Sequence, residues 1–149
     1  MDDGNLTDQA AAALGAALAA EHAAIFAYGP IGVRLTGAAA GQARSAEAAH
    51  RARRDALVVA LTDAGATAPP AQPAYALPYP VTDRASALRL AADIENRTAA
   101  VWRAALPPTT DTDRANALAA LIDCAVRATR WRRLAGVVPA TVPFPGKPA

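Results

Sequence analysis

Glu21, Glu47, His50, Glu95 and Asp123 are the side chains of this sequence whose types and spacing could do chemistry together. Glu47-Ala48-Ala49-His50 is an E-x-x-H, and on a helix an i, i+3 spacing brings both groups to one face. Glutamate oxygens with a neutral imidazole suit iron or manganese. Joined to a glutamate on the preceding helix, for which Glu21 is placed, such a motif is half of a two-metal carboxylate site. His22 points about 100° away from Glu21 and is no simple substitute for it.

Helices must position these groups. Leu14, Leu18, Glu21, Ile25, Tyr28, Gly32 and Leu35 step by four and three, a single stripe with a carboxylate at its centre. Ala43, Glu47, His50, Arg54, Leu57, Leu61 and Ala64 form a second stripe. Leu88, Ala92, Glu95, Ala99, Trp102 and Leu106 form a third, again interrupted by a central glutamate. Leu118, Leu121, Ile122, Ala125 and Thr129 form a fourth, with Asp123 just off its middle. The pattern predicts helices near 7–36, 38–64, 83–106 and 110–135. Thr7 and Thr82 or Asp83 are N-caps, while Gly65, Pro107-Pro108 and Gly136 are stops. A kink is expected at Gly29-Pro30, and Thr36-Gly37 should close the first helix.

Residues 66–81 differ in kind, with Pro69, Pro70, Pro73, Pro78 and Pro80 among apolar residues. Tyr75, Leu77, Tyr79 and Val81 can pin such an extended segment to a surface, with Tyr75 and Tyr79 as its clamps. Its reach of about 50 Å exceeds the ~36 Å of a 24-residue helix. The expectation is one all-α domain over 1–149, a ferritin-like four-helix bundle. It comprises two antiparallel hairpins joined by a long Pro-rich crossover, with a Pro-rich tail over 137–149. Connection lengths alone leave a bundle of other handedness open.

Counting outward from the turns sets the levels. With the first hairpin turning near residue 37, the level opposite Glu21 falls near residue 53. His50 is then about 4.5 Å off level, Arg54 nearly level, and Glu47 about 9 Å away, far for a shared metal. Glu95 falls opposite Ile122 and Asp123. The expected polar core layer is Glu21, His50, Arg54 (with Arg53 its close competitor), Glu95, Asp123 and Arg127. Carboxylates and guanidiniums at one level neutralise each other without metal. The preferred reading is therefore non-catalytic and without cofactor, a buried ion network standing where a metal site would be. The alternative is an iron- or manganese-binding oxidase or peroxide-handling protein using Glu21, Glu47, His50 and Glu95, with Asp123 a further candidate ligand. A small ligand in the bundle core is a third reading, and an ordinary i, i+4 surface pair suits Asp123 and Arg127.

The segments Ala20-Glu21-His22-Ala23-Ala24-Ile25-Phe26-Ala27-Tyr28, His50-Arg51-Ala52-Arg53-Arg54-Asp55, Tyr75-Ala76-Leu77-Pro78-Tyr79-Pro80-Val81-Thr82 and Ala128-Thr129-Arg130-Trp131-Arg132 resemble a ferritin-like domain family of unassigned function. The likeness covers nearly the whole chain. It implies the fold and no established activity. Against the wider di-iron pattern, Glu21 matches the first-helix glutamate, Glu47 and His50 the second-helix motif, and Glu95 the third-helix glutamate. The fourth helix departs from that pattern, because Val126 stands three residues after Asp123 where a histidine would be.

Composition narrows the remaining classes. The chain holds 44 alanines and only seven aromatic residues, so its 53% hydrophobic content reflects small side chains and close helix approach. Charges break the apolar runs, so no transmembrane helix is expected. The polar start Met1-Asp2-Asp3-Gly4-Asn5 shows no signal peptide, and the protein reads as cytoplasmic. A net charge of +2 is no footprint of a nucleic-acid binder, although Arg51, Arg53, Arg54, Arg127, Arg130, Arg132 and Arg133 make a basic cluster. Cys124 stands alone and reads as a small core residue. Trp102 and Trp131 read as core or interface anchors. Alanine-rich helix faces and the apolar linker leave surface for a homodimer partner.

Overall fold

The computed structural model describes residues 6–148; the acidic start Met1–Asn5 and Ala149 lie outside them. The described residues contain four α-helices and no strand: α1 (Asp8–Val33), α2 (Gly37–Asp63), α3 (Arg84–Ala105) and α4 (Asp111–Leu134). Their ends follow from local chemistry. The Thr7 hydroxyl accepts from the Ala10 amide at 3.1 Å, satisfying one of the free N–H groups of the first turn. Asp83 and Ser86 cap α3 reciprocally. After α2 and α4 the chain turns through Gly65 and Gly136 at positive φ, and the next amide bonds back to Leu61 and Arg132 respectively.

Two ends differ from expectation. Pro30 sits in the last turn of α1, and the helix stops at Val33 instead of reaching Leu35. Thr36 and Gly37, expected to close α1, instead open α2. Leu35 stays buried in the turn between the two helices.

Helix α1 packs on α2 and α3, and α3 packs on α4. Alanine makes these contacts close: Ala17, Ala27, Ala46, Ala91, Ala105 and Ala117 are wholly buried. Apolar side chains gather in two clusters. One contains Tyr28, Ile31, Leu88, Leu90 and Trp131, and the other Leu14, Leu18, Leu57, Leu61 and Trp102. Segment 66–81 touches both. Ala66 and Ala68 rest on the second cluster, while Leu77, Tyr79 and Val81 rest on the first. Between them His22 Nε2 donates to the Pro69 carbonyl at 3.1 Å, and Tyr75 stacks at a tilt on Phe26. Tyr79 donates to Asp93 at 2.6 Å beneath the guanidinium of Arg89. In the tail, Pro145 and Ala140 carbonyls accept from Arg103 and Arg132.

The orientation of α4 corrects the expected stripe. Its buried face is Ala117, Ala120, Cys124, Ala128 and Trp131, while Leu118 and Ile122 point to solvent. Trp131 fills the first cluster and Trp102 of α3 the second, so small residues suffice along the rest of that face. A second correction concerns apolarity. Helix α1 is long and apolar enough by composition to cross a membrane, with a mean hydropathy of 1.5 in its most apolar window. Unbroken alanine raises that value, and the same helix carries Glu21 into the centre of the bundle.

Candidate functional site

Between the two apolar clusters, α1, α2 and α3 each carry one fully buried polar residue inward: Glu21, His50 and Glu95. The helical stripes force them there, so their lone pairs and protons must find partners inside the protein. His50 stands between the carboxylates. Its Nδ1 meets Glu21 Oε2 at 2.5 Å and its Nε2 meets Glu95 Oε1 at 3.1 Å. A neutral ring has one N–H, so two acceptors at its two nitrogens call for the imidazolium. Burial alone pushes this imidazole down, but the hydrogen bonds and charges of Glu21 and Glu95 outweigh it and raise its pKa to about 9. Burial likewise works against ionised Glu21, yet donation and charge from His50, with the charge of Arg53, hold that carboxyl below its ordinary value.

The second oxygen of Glu21 accepts from Arg53 Nε at 2.8 Å and from Trp102 Nε1 at 2.7 Å. Arg53 continues outward, giving Nη1 to Asp123 Oδ2 at 2.8 Å, and Arg127 Nε reaches the same oxygen at 2.8 Å. Arg53 Nη2 also lies 3.0 Å from His50 Nδ1. With that nitrogen already donating to Glu21, this approach is a contact of like charges, offset by the carboxylate that both address. Three carboxylates (Glu21, Glu95, Asp123) thus meet three cations (His50, Arg53, Arg127), and their formal charges cancel.

Glu95 is served unevenly. Its Oε1 also accepts from the Tyr28 hydroxyl at 2.6 Å, and Trp131 Nε1 donates to that hydroxyl at 2.9 Å. Burial and the Glu95 charge push the Tyr28 hydroxyl well above its usual range, so it remains a donor. Glu95 Oε2 is buried without a hydrogen-bond partner among the described residues. Cys124 lies under Arg53, 3.7 Å from Nη2, and burial keeps its thiol protonated and unreactive.

The structure brings Glu21, His50, Glu95, Asp123 and Arg127 together in one chain of contacts. Arg53, not Arg54, enters it. The inward row of α2 is Ala46, His50, Arg53, Leu57 and Leu61, whereas Arg54 bonds Asp55 at the surface. Glu47 falls off this row as well and pairs with Arg51 at 2.6 Å on the outside, so it is no partner of His50. Asp123 and Arg127 do form their i, i+4 pair, and Arg53 ties that pair to the buried centre. Sequence reasoning missed the polar use of Tyr28, Trp102 and Trp131. A signal was present for two of them. Tyr28 stands seven residues after Glu21, and Trp102 seven after Glu95. Each aromatic lies two turns along the stripe from its own helix's carboxylate and bonds the carboxylate of the other helix.

These residues do not fit a two-metal site. A metal needs an unprotonated imidazole nitrogen and free carboxylate lone pairs. Here both nitrogens of His50 address carboxylates, Glu21 is bonded through both oxygens, and Arg53 lies where its charge would repel a dication. Among the buried side-chain oxygens of the described residues, Glu95 Oε2 alone is unclaimed. Beside the layer, a groove of about 440 Å³ opens between α2 and α4, floored by Leu14, Leu57 and Trp102, with Arg53 and Asp123 on its wall.

A family model described as a domain of unknown function, DUF4439, matches residues 13–149. The fold is similar to the crystal structure of a conserved hypothetical protein, rv2844, from Mycobacterium tuberculosis. The TM-score is 0.83 at 41% sequence identity, covering 92% of this chain and 97% of that one. No curated protein matches.

Proposed function

The chain belongs to the DUF4439 family, whose name assigns no activity, and from its own residues we propose a non-catalytic role for the buried centre. On this reading Glu21, His50, Arg53, Glu95, Asp123 and Arg127 form a self-neutralised ion network that fixes the register of a ferritin-like bundle. The protein is then a cytoplasmic helical scaffold without a metal cofactor or nucleic-acid partner. One observation carries the reading: His50 is bonded through both ring nitrogens to buried carboxylates, which already supplies the positive charge a metal would bring.

Support for the ferritin-like arrangement comes from the order of the crosslinks. Tyr28 bonds Glu95 while Glu21 bonds Trp102, so residue numbers rise along α1 as they fall along α3. The short turn at 34–36 sets α1 against α2 in the same sense. With α2 and α3 both opposed to α1, they run alike, which supports a return of 66–81 along the bundle as a crossover. Its contacts with both apolar clusters agree.

The test is metal analysis of protein grown with added iron and manganese, paired with Glu21→Ala. The expected result is metal well below one equivalent and a loss of about 3–5 kcal/mol in stability, because the substitution strands buried positive charge. Stoichiometric iron that Glu21→Ala removes with little change in folding would overturn the reading and restore the oxidase or peroxide alternative.

A further inference from the structure

Helix α4 rests Leu121 against the core but keeps three other aliphatic side chains outside. Leu118, Ile122 and Val126 are 46%, 54% and 43% exposed, while the face it turns inward is mostly alanine. The exposed row is symmetric about Ile122. Leu118 and Val126 stand four residues to either side, Ala115 and the half-buried Thr129 seven, and Asp111 and Arg133 eleven. Offsets of four, seven and eleven residues all return close to one helix face, and eleven residues correspond to about 16 Å along the axis. Asp111 and Arg133 are both exposed, and neither forms an ion pair among the described residues.

We infer that this row is the seam of a homodimer, in which α4 packs antiparallel on α4 of a second copy about a two-fold axis at Ile122. The symmetry of the row selects that partner. In an antiparallel pair centred on Ile122, each Leu118 meets the other copy's Val126, and each Asp111 meets the other copy's Arg133. An isologous interface requires such self-complementarity. The small side chains of Ala115 and Thr129 meet between them and permit an interaxial distance of about 8–10 Å. Opposed helix dipoles add a second complementarity, since the acidic first turn of one helix lies beside the basic last turn of the other. A single helix pair buries less than the ~800 Å² per partner of a standard interface, so dissociation at micromolar dilution is expected.

Sedimentation velocity of the full chain across micromolar concentrations tests this, with variants at Ile122, Asp111 and Arg133. Ile122→Cys puts a thiol on the two-fold axis and should give a disulfide-linked dimer on oxidation, with the buried Cys124 contributing little background. Ile122→Glu should leave a folded monomer, with unchanged circular dichroism because the site is exposed. Asp111→Arg and Arg133→Asp should each weaken the dimer about tenfold, and combining them should restore it. A monomer at every concentration would overturn the inference. So would a dimer that persists in Ile122→Glu, or charge variants that fail to rescue one another.

Discussion

The centre of this bundle and the outer face of α4 both invert the usual distribution of side chains, and they do so with different consequences. The centre buries ionised groups, and the α4 face exposes aliphatic ones. Inside, the inversion is complete within one chain: each cation of the layer meets a carboxylate at hydrogen-bond distance, and the charges cancel. Outside, the described residues leave Leu118, Ile122 and Val126 about half exposed. Buried charge is costly when one partner is removed, whereas an exposed aliphatic side chain costs the monomer little. The first region should therefore govern stability and the second association.

The largest effect expected from breaking the comparison on its inner side is that of His50→Leu. It leaves Glu21 and Glu95 without the imidazolium between them, and a loss of about 3–5 kcal/mol is expected in urea unfolding. Ile122→Ser on the outer side should leave unfolding within about 0.5 kcal/mol. Equal losses in the two variants would erase the distinction.

Acidity gives a second measure. The folded pKa of His50 is raised from 6.5 to about 9, so its contribution is fully present below 6.5 and is lost as pH rises through 9. Stability should fall across that interval by up to about 1.4 kcal/mol per pH unit, and His50→Gln should flatten the slope. Glu21 is lowered from 4.5, so its contribution is present above that value and is lost as pH falls further. A flat profile between pH 6.5 and 9 in the parent protein would mean that His50 is not the charged bridge.

Single donors should matter less. Trp131→Phe keeps the ring in the core but removes the donor to Tyr28, and a loss of about 1–2 kcal/mol is expected from thermal unfolding. Arg54→Ala should be as small as Ile122→Ser, within about 0.5 kcal/mol, because among the described residues Arg54 pairs only with exposed Asp55. Arg53→Ala, one residue away, should cost several times more. That contrast between neighbours sharpens the distinction between inside and outside on α2.

How much of the site was legible is clearest on that helix. The row through His50 could continue to Arg53 or to Arg54, since both three and four residues are helical steps. Sequence periodicity favoured the row through Glu47 and Arg54, whereas packing against α1, with the bonds from His50 to Glu95 and from Arg53 to Asp123, selected the row through Ala46 and Arg53. On α4 the aliphatic residues marked a stripe, yet Leu118 and Ile122 of that stripe face outward. Alanine, cysteine and tryptophan form the true inner face, and hydrophobicity alone ranks alanine too low to reveal it.

The sequence by itself determined the four helices, the caps at Thr7 and Asp83, the stops at Gly65 and Gly136, and the presence of Glu21 and Glu95 in the middle of apolar stripes. Those features depend on residues three or four apart, or on backbone constraints at single positions, and the chain carries them locally. Only the tertiary structure decided that His50 bridges the two carboxylates and that Tyr28 and Trp102 each serve the other helix's glutamate. It also decided that Arg53 joins Asp123 and that α4 turns its alanines inward. Each of these depends on the rotation of one helix about its axis relative to its neighbours. That rotation is set by how whole faces pack, and no short window of sequence contains it.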